Sequence, residues 1–293
     1  MSSNSPSIFQ PMRYRALFFL ISFVVIIPGV YSLLTHGLKL GIDFTGGTTF
    51  VWQSESLNQT TLQEALIDQG IEPKEITQDS STWEVTTTPV SSQSYQDLTM
   101  TLSDANITEL EYNTIGPSVG RELVEKTISA IILASISILL YVAYRFRNIK
   151  FGVSAILAML HDSLILLGTF SLLGYYQGVE VDTLFVTALL TILSFSVHDT
   201  IVVYDRIREL GHKHAHLGFE NIVNRAVVET MGRSINNSMT IIFMLLSMYL
   251  MGGDTTRWFI FALLIGTISG TYSSTFTAAP LLLVWDKLVS RKK

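Results

Sequence analysis

Apolar residues in this chain fall into blocks too long for the interior of a small soluble domain. Six segments pass the length test for crossing a bilayer: residues 14–34, 126–144, 151–173, 183–204, 235–251 and 258–285. About 20 apolar residues at ~1.5 Å each traverse ~30 Å of hydrocarbon. The fifth is short, and the sixth is long enough to tilt or to extend past the hydrocarbon. Residues 174–182 join the third and fourth segments, and residues 252–257 the fifth and sixth. Connections this short make antiparallel neighbours. The first apolar run exceeds the ~7–15 residues of a signal-peptide core, so an uncleaved first span is expected.

Between the first two spans the pattern changes period. Thr48 to Trp52 alternates and is rich in β-formers, whereas Leu62, Ala65, Leu66 and Gln69 follow helical spacing behind Thr60-Thr61, an N-cap signal. Two short β-rich runs, 75–77 and 83–88, flank the turn signal Asp79-Ser80-Ser81. A second helix is expected over 91–103 and a last strand over 107–112. The order strand, helix, strand, strand, helix, strand is that of a split βαβ, ferredoxin-like α+β domain. The predicted fold is an α-helical integral membrane protein of six spans with this small domain between spans one and two.

Composition agrees. Of 293 residues, 48% are hydrophobic and only 15% charged, against ~25% charged in a soluble domain. There is no cysteine, which excludes disulfides, thiolate metal sites and cysteine nucleophiles. Basic residues then orient the spans. Arg13 and Arg15 precede the first, and Arg145, Arg147 and Lys150 lie between the second and third. Arg206, Arg208, Lys213, Arg225 and Arg233 lie between the fourth and fifth, and Lys287, Arg291, Lys292 and Lys293 end the chain. Cytoplasmic segments are therefore expected at 1–13, in the 205–234 loop and at 286–293. The 35–125 domain is expected on the outside. Residues 36–125 hold fourteen acids and three bases, a difference of −11, so this domain is not a nucleic-acid binder. Within the cytoplasmic loop, Phe219, Ile222, Val223, Ala226 and Val227 mark an amphipathic helix expected on the inner membrane interface.

Ionisable residues inside apolar spans are costly and are read first as functional. Asp199 lies about sixteen residues into the fourth span, ~24 Å from its outer end at ~1.5 Å per residue. Asp162 lies about eleven residues into the third, ~17 Å deep by the same rise. Arg233 stands at the cytoplasmic entry of the fifth span and is the expected partner of Asp199. The alternatives are hydrogen-bonded helix clamping for both aspartates and a snorkelling side chain for Arg233. Asp205-Arg206 reads as a helix-end ion pair. The dipeptides His161-Asp162 and His198-Asp199 do not make a metal site, because neighbours on a helix point ~100° apart. The His212, His214, His216 run reads as a solvated segment. Gly266, Gly270 and Ser274 form a small-residue stripe for close helix packing. Gly41 to Gly47 (GIDFTGG) supplies permissive backbone beyond the first span; no lysine or following helix makes it a phosphate loop.

These motifs resemble those of the SecF members of the SecD/SecF protein-export family. Gly41, Asp43, Gly46 and Gly47 belong to a segment that looks like the family signature after the first span, and Gly116, Pro117 and Gly120 (IGPSVGREL) to one similar to its lead into the second. Ser196 to Arg206 (SVHDTIVVYDR), Arg233 to Asn236 (RSIN) and Gly270 to Ser274 (GTYSS) with Pro280 are similar to its later motifs. The resemblance implies half of a resistance-nodulation-division-type unit of twelve helices, completed by SecD and placed beside the SecYEG channel. It implies use of the proton motive force to assist a translocating polypeptide. No enzyme activity and no cofactor are implied; the partners are SecD, SecYEG, the polypeptide and membrane lipid. In the same terms Asp199 takes the place of a proton-carrying aspartate, Arg233 that of its partner, and Asp162 a further polar position. One residue departs from the pattern: His198 stands where the family usually has asparagine, adding a group that titrates near neutral pH. A small-molecule/proton antiporter of the same superfamily, an intramembrane hydrolase and a passive scaffold are the rival readings.

Overall fold

The computed structural model describes residues 10–146, 148–214 and 216–290. Arg147, Arg291, Lys292, Lys293 and most of the expected N-terminal segment lie outside the described residues. The chain divides into two compact units, residues 40–129 and the remainder. In order the elements are α1 (Arg15–Thr35), α2 (Ile42–Thr45), β1 (Gly47–Gln53), α3 (Gln59–Asp68), β2 (Pro73–Asp79), β3 (Thr82–Thr87), α4 (Ser92–Thr101), β4 (Thr108–Ile115), α5 (Pro117–Phe146), α6 (Ile149–Gln177), α7 (Thr183–Lys213), α8 (Phe219–Met251), α9 (Asp254–Ser273) and α10 (Ala279–Ser290). A π-helical turn, Ser274–Ala278, separates the last two.

In the smaller unit the strands form one antiparallel sheet in the order β2-β3-β1-β4. Alternation along β1 and β3 sends Phe50, Trp52, Trp83 and Val85 to one face, where α3 and α4 cover them with Leu62, Leu66, Tyr95 and Leu98. Trp52 and Trp83 sit opposite each other in the register. Helix α3 starts earlier than the Thr60-Thr61 signal suggests: Asn58 is the cap, its side chain accepting from Thr61 N at 2.8 Å. The expected 79–81 hairpin turn is present, with Ser80 in the left-handed region at φ 55°.

The two glycine motifs meet in this unit. Gly46 has φ +70°, and a Cβ there would lie 2.8 Å from Pro117 Cα. A Cβ on Gly120 would lie 2.9 Å from Phe44 O. The GIDFTGG segment therefore packs backbone to backbone on the Gly116–Gly120 segment, and side chains are excluded by contact as well as by dihedral angle.

The larger unit holds helices long and apolar enough to cross a membrane; with α5, six such runs occur among the described residues. Several continue past their predicted ends. Helix α7 does not stop at Tyr204 but runs to Lys213. The amphipathic stretch at 219–227 is no separate interfacial helix: it is the start of α8, continuous through the fifth span. Its apolar face is buried in protein at Ile222, Val223, Ala226 and Val227. Asn224 fixes it by accepting from Met12 N at 2.9 Å. With no proline between 219 and 251, nothing in the backbone ends the helix.

Two close crossings organise the bundle. On α1 and α6, Gly29 and Gly168 face each other so tightly that a Cβ on Gly29 would lie 2.8 Å from Gly168 Cα. On α9, the predicted small-residue stripe lies along α7. Gly266 faces Ile192, Gly270 faces Ser196, and Ser274 reaches Asp199.

Candidate functional site

Helix α9 and the π turn after it deliver serines to two buried carboxylates. Asp162 on α6 is fully buried, and Asp199 on α7 is 7% exposed. Asp162 Oδ1 accepts from Ser269 at 2.6 Å and faces His161 Nδ1 at 3.0 Å. Its Oδ2 accepts from Ser196 and from Ser273, each at 2.5 Å. Asp199 Oδ2 accepts from Ser234 on α8 and from Ser274, at the head of the π turn. Successive residues on a helix point ~100° apart, so Ser273 turns to α6 while its neighbour Ser274 turns to α7. One helix thus ties both carboxylates together through adjacent side chains.

The energetics explain why hydroxyls gather here. Centring an aspartate in a span costs at least ~2.5 kcal/mol. A hydrogen bond to a charged group contributes ~1.5–3 kcal/mol. Two serines therefore offset the burial of Asp199, and Asp162 holds a surplus. The two sites differ in spare capacity: Asp199 Oδ1 takes no hydrogen bond from any described residue, whereas both oxygens of Asp162 are doubly engaged.

Arg233 is not bonded to Asp199. Ser234, the next residue, takes the inward position on α8, and Arg233 is left exposed. It lines a cleft of about 580 Å³ with Asp205, Arg206, Glu209, Glu229 and Thr230. The expected Asp199–Arg233 pair is thus absent in this arrangement of the helices. His198, beside Asp199 in sequence, is turned about 100° away on α7 and is exposed. Asp205 and Arg206 do not pair with each other, being adjacent on a continuing helix. Asp205 bonds Arg145 at 3.0 Å, and Arg206 bonds Glu229 at 2.6 Å and pairs with Glu209.

Sequence reasoning missed the serine donors Ser196, Ser234, Ser269 and Ser273 and the bonding role of His161. The available signal was hydroxyls at four-residue spacing, Ser269 and Ser273, on a span that already carried a small-residue stripe.

Comparison with known proteins bears on this arrangement. The family model described as "Protein export membrane protein SecD/SecF, C-terminal" matches residues 95–288. The chain belongs to the SecD/SecF family. A second family model, the SecD/SecF GG motif, matches residues 31–51, which include the Gly46 clasp. The chain is 44% identical to the protein translocase subunit SecF of Thermobaculum terrenum over 94% of this chain and 93% of that protein. It is 36% identical to SecF of Anaerolinea thermophila, over 93% and 92%. The crystal structure of SecDF from Thermus thermophilus, a translocon-associated membrane protein, matches with a TM-score of 0.85 at 33% identity. That match covers 96% of this chain and 39% of the SecDF chain. The family places the chain in protein transport as a multi-pass inner-membrane protein associated with the Sec translocon.

Proposed function

We propose that this chain is one half of a proton-driven unit that, with SecD, assists polypeptide translocation through SecYEG. The observation that carries this reading is a polar face left open on the span helices beside Asp199. On α7 the exposed positions include Thr187, Thr191, Ser194 and His198, and on α8 Arg233, Asn236, Asn237 and Thr240. The threonines bond their own helix, Thr191 to Thr187 O and Thr240 to Asn236 O. The side chains of His198, Arg233, Asn236 and Asn237 make no hydrogen bond or ion pair with any described residue. Lipid tails offer none, so a second set of helices with matching polar groups belongs on this face. That the chain spans 39% of SecDF supports the same reading.

In this scheme Asp199 takes up a proton at its open Oδ1, loses its hold on Ser234 and Ser274, and α8 and the π turn repack. Arg233, one residue from Ser234, is released or engaged with that movement. One charge crossing ~100 mV yields ~2.3 kcal/mol, a bias of roughly 50-fold on a two-state element. The smaller unit, with the strand order of a ferredoxin-like sandwich, is the outer element so driven, and the termini are cytoplasmic. No bond is made or broken in the polypeptide, and the chain acts as a transport subunit rather than an enzyme.

The chain has no native cysteine, so single cysteines at His198 and Asn237 test the face directly. Each should cross-link to cysteines on SecD. Efficient labelling of both by lipid-phase reagents in the assembled membrane, with no cross-link to SecD, overturns the reading.

A further inference from the structure

Helix α8 and the helix that follows it leave a groove between them, on the side of α8 turned away from its polar face. On α8 the walls are Met231, Ile235, Met239 and Ile242; across from them stand Ile268 on α9 and Phe276 in the π turn. The α8 residues recur at intervals of four, four and three, the spacing of one helix face, so the groove runs lengthwise. Ile235 and Met239 each lie two residues from Arg233 and Asn237. Two steps of ~100° put them on opposite sides of α8. The polar side is the one assigned above to SecD, which leaves the groove side to the bilayer.

Chemistry and dimensions both select the occupant. The rim is apolar and open, with Ile235 46%, Met239 38% and Ile268 49% exposed. Hydroxyls line the floor, but those of Ser234, Ser238, Thr271 and Tyr272 already meet protein partners. Ser234 bonds Asp199, Ser238 and Thr271 lie 2.6 Å apart, and Tyr272 donates to Phe18 O at 2.7 Å. An alkyl chain asks for no hydrogen bond. From Met231 to Ile242 the groove runs ~16 Å at ~1.5 Å per residue, about half of the ~30 Å hydrocarbon core and hence the depth of one leaflet. A volume of about 240 Å³ spread over that length is ~4 Å across. A helix, ~10–12 Å wide, does not enter. A single file of carbons, in contact at ~3.5–4.0 Å, does.

We propose that this groove seats one acyl chain of a cytoplasmic-leaflet phospholipid, and that the seated chain braces α8 where Ser234 holds Asp199. The choice of side rests on the reading of the polar face above, and the choice of leaflet on the cytoplasmic placing of Arg233. Ser234 lines the groove and bonds Asp199; Thr275, also in the lining, follows Ser274, the second serine on that carboxylate. Any repacking of α8 against the π turn changes the width of the groove. A chain that fits the present width therefore favours the present arrangement, by as much as its affinity differs between the two. Flexible methionines at Met231 and Met239 let the walls follow an irregular chain.

The test uses the chain co-purified with SecD in phospholipid vesicles that carry a trace of phospholipid with a photoreactive diazirine in one acyl chain. Peptide mapping should find residues 231–242 and 268–276 labelled roughly fivefold more strongly than the exposed α1 surface at Phe23 and Val24, the reference for bulk lipid. Ile268→Trp, which fills the groove from an exposed position, should lower groove labelling to that reference. Met239→Trp, on the other wall, should do the same. Labelling no stronger than the reference in the native chain, or enrichment that survives both tryptophans, overturns the proposal. So does enrichment with a photoreactive free fatty acid and none with the phospholipid. Met239→Cys cross-linked to SecD overturns it as well; a cross-link from Asn237→Cys in the same preparation then leaves the reading of the polar face standing. The brace has its own readout. Ile268→Trp occupies the groove permanently and should slow gradient-driven release of an arrested polypeptide about threefold, with gradient-independent release unchanged. Gradient-driven release at the native rate overturns the brace.

Discussion

The fit of α9 on α7 makes a graded prediction at two glycines four residues apart. A methyl group at Gly266 would fall inside the contact distance of three Ile192 side-chain carbons, the farthest at 2.6 Å. Carbon atoms need ~3.5–4.0 Å, so Ile192, 2% exposed, must leave its rotamer or α9 must lift by about 1 Å. Gly266→Ala should therefore cost ~1–3 kcal/mol as overpacking. At Gly270 the same methyl would meet Ser196 Cβ at 3.2 Å, a gap that a few tenths of an ångström repair, so Gly270→Ala should cost less than ~1 kcal/mol. Ile192→Ala alone leaves a cavity worth ~2–5 kcal/mol. Combined with Gly266→Ala it should recover part of that loss, giving a coupling of at least ~1 kcal/mol. Thermal unfolding of the four purified variants in detergent, followed by loss of helical circular dichroism, measures the series. Equal midpoints for the two glycine variants, or strict additivity with Ile192→Ala, would refute the packing argument.

Three further outcomes follow from other parts of the molecule. Gly46→Ala combines a positive φ with a clash on Pro117, so the chain should lose ~1–3 kcal/mol and become protease-sensitive near residue 46, whereas Gly37→Ala, in open space at φ +73°, should suffer strain alone; limited proteolysis compares them. In the smaller unit, burial, followed by the hydrogen bond to Glu109, pushes the Tyr95 phenol well above its ordinary range. The folded state thus holds this proton more tightly than the unfolded chain, so the stabilisation is complete below the unfolded value of ~10 and is lost as pH rises beyond it. Tyr95→Phe should flatten that alkaline loss while weakening the domain at neutral pH, since Trp52 Nε1, 3.0 Å from the hydroxyl, loses its acceptor; near-ultraviolet circular dichroism against pH reads both effects. Replacing Asn236 and Asn237 together by leucine should leave insertion unchanged but reduce the SecD recovered with the chain at least tenfold, measured by co-purification.

Much of the architecture was legible because period and length are local properties. Long apolar runs marked the helices, alternation marked β1 and β3, and the Gly266-Gly270-Ser274 spacing marked the face on which α9 meets α7. What escaped the sequence depends on which residue of a charged pair turns inward. Arg233 and Ser234 are neighbours, and depth alone favoured the charge; the helix phase gives the inward place to the serine. The same phase sends His198 out and Asp199 in, so the unusual histidine belongs to the open face rather than to the buried carboxylate. Periodicity predicted the amphipathic turn at 219–227 correctly as a pattern, but a pattern does not say whether protein or lipid covers it. The Asp162 network was invisible for a related reason: its donors come from two other helices, Ser196 on α7 and Ser269 and Ser273 on α9, while Ser22 on α1 meets His161, and no short motif joins them.

The central claim is that a proton taken up at Asp199 drives polypeptide movement, and one measurement addresses it most directly. In vesicles carrying this chain, SecD and SecYEG, a polypeptide arrested part-way through the channel is released while a proton gradient is imposed or abolished. The account predicts gradient-dependent release with the native chain and with Asp199→Glu, and gradient-independent, basal release with Asp199→Asn at equal levels of inserted complex. Full gradient-dependent release by Asp199→Asn would contradict it.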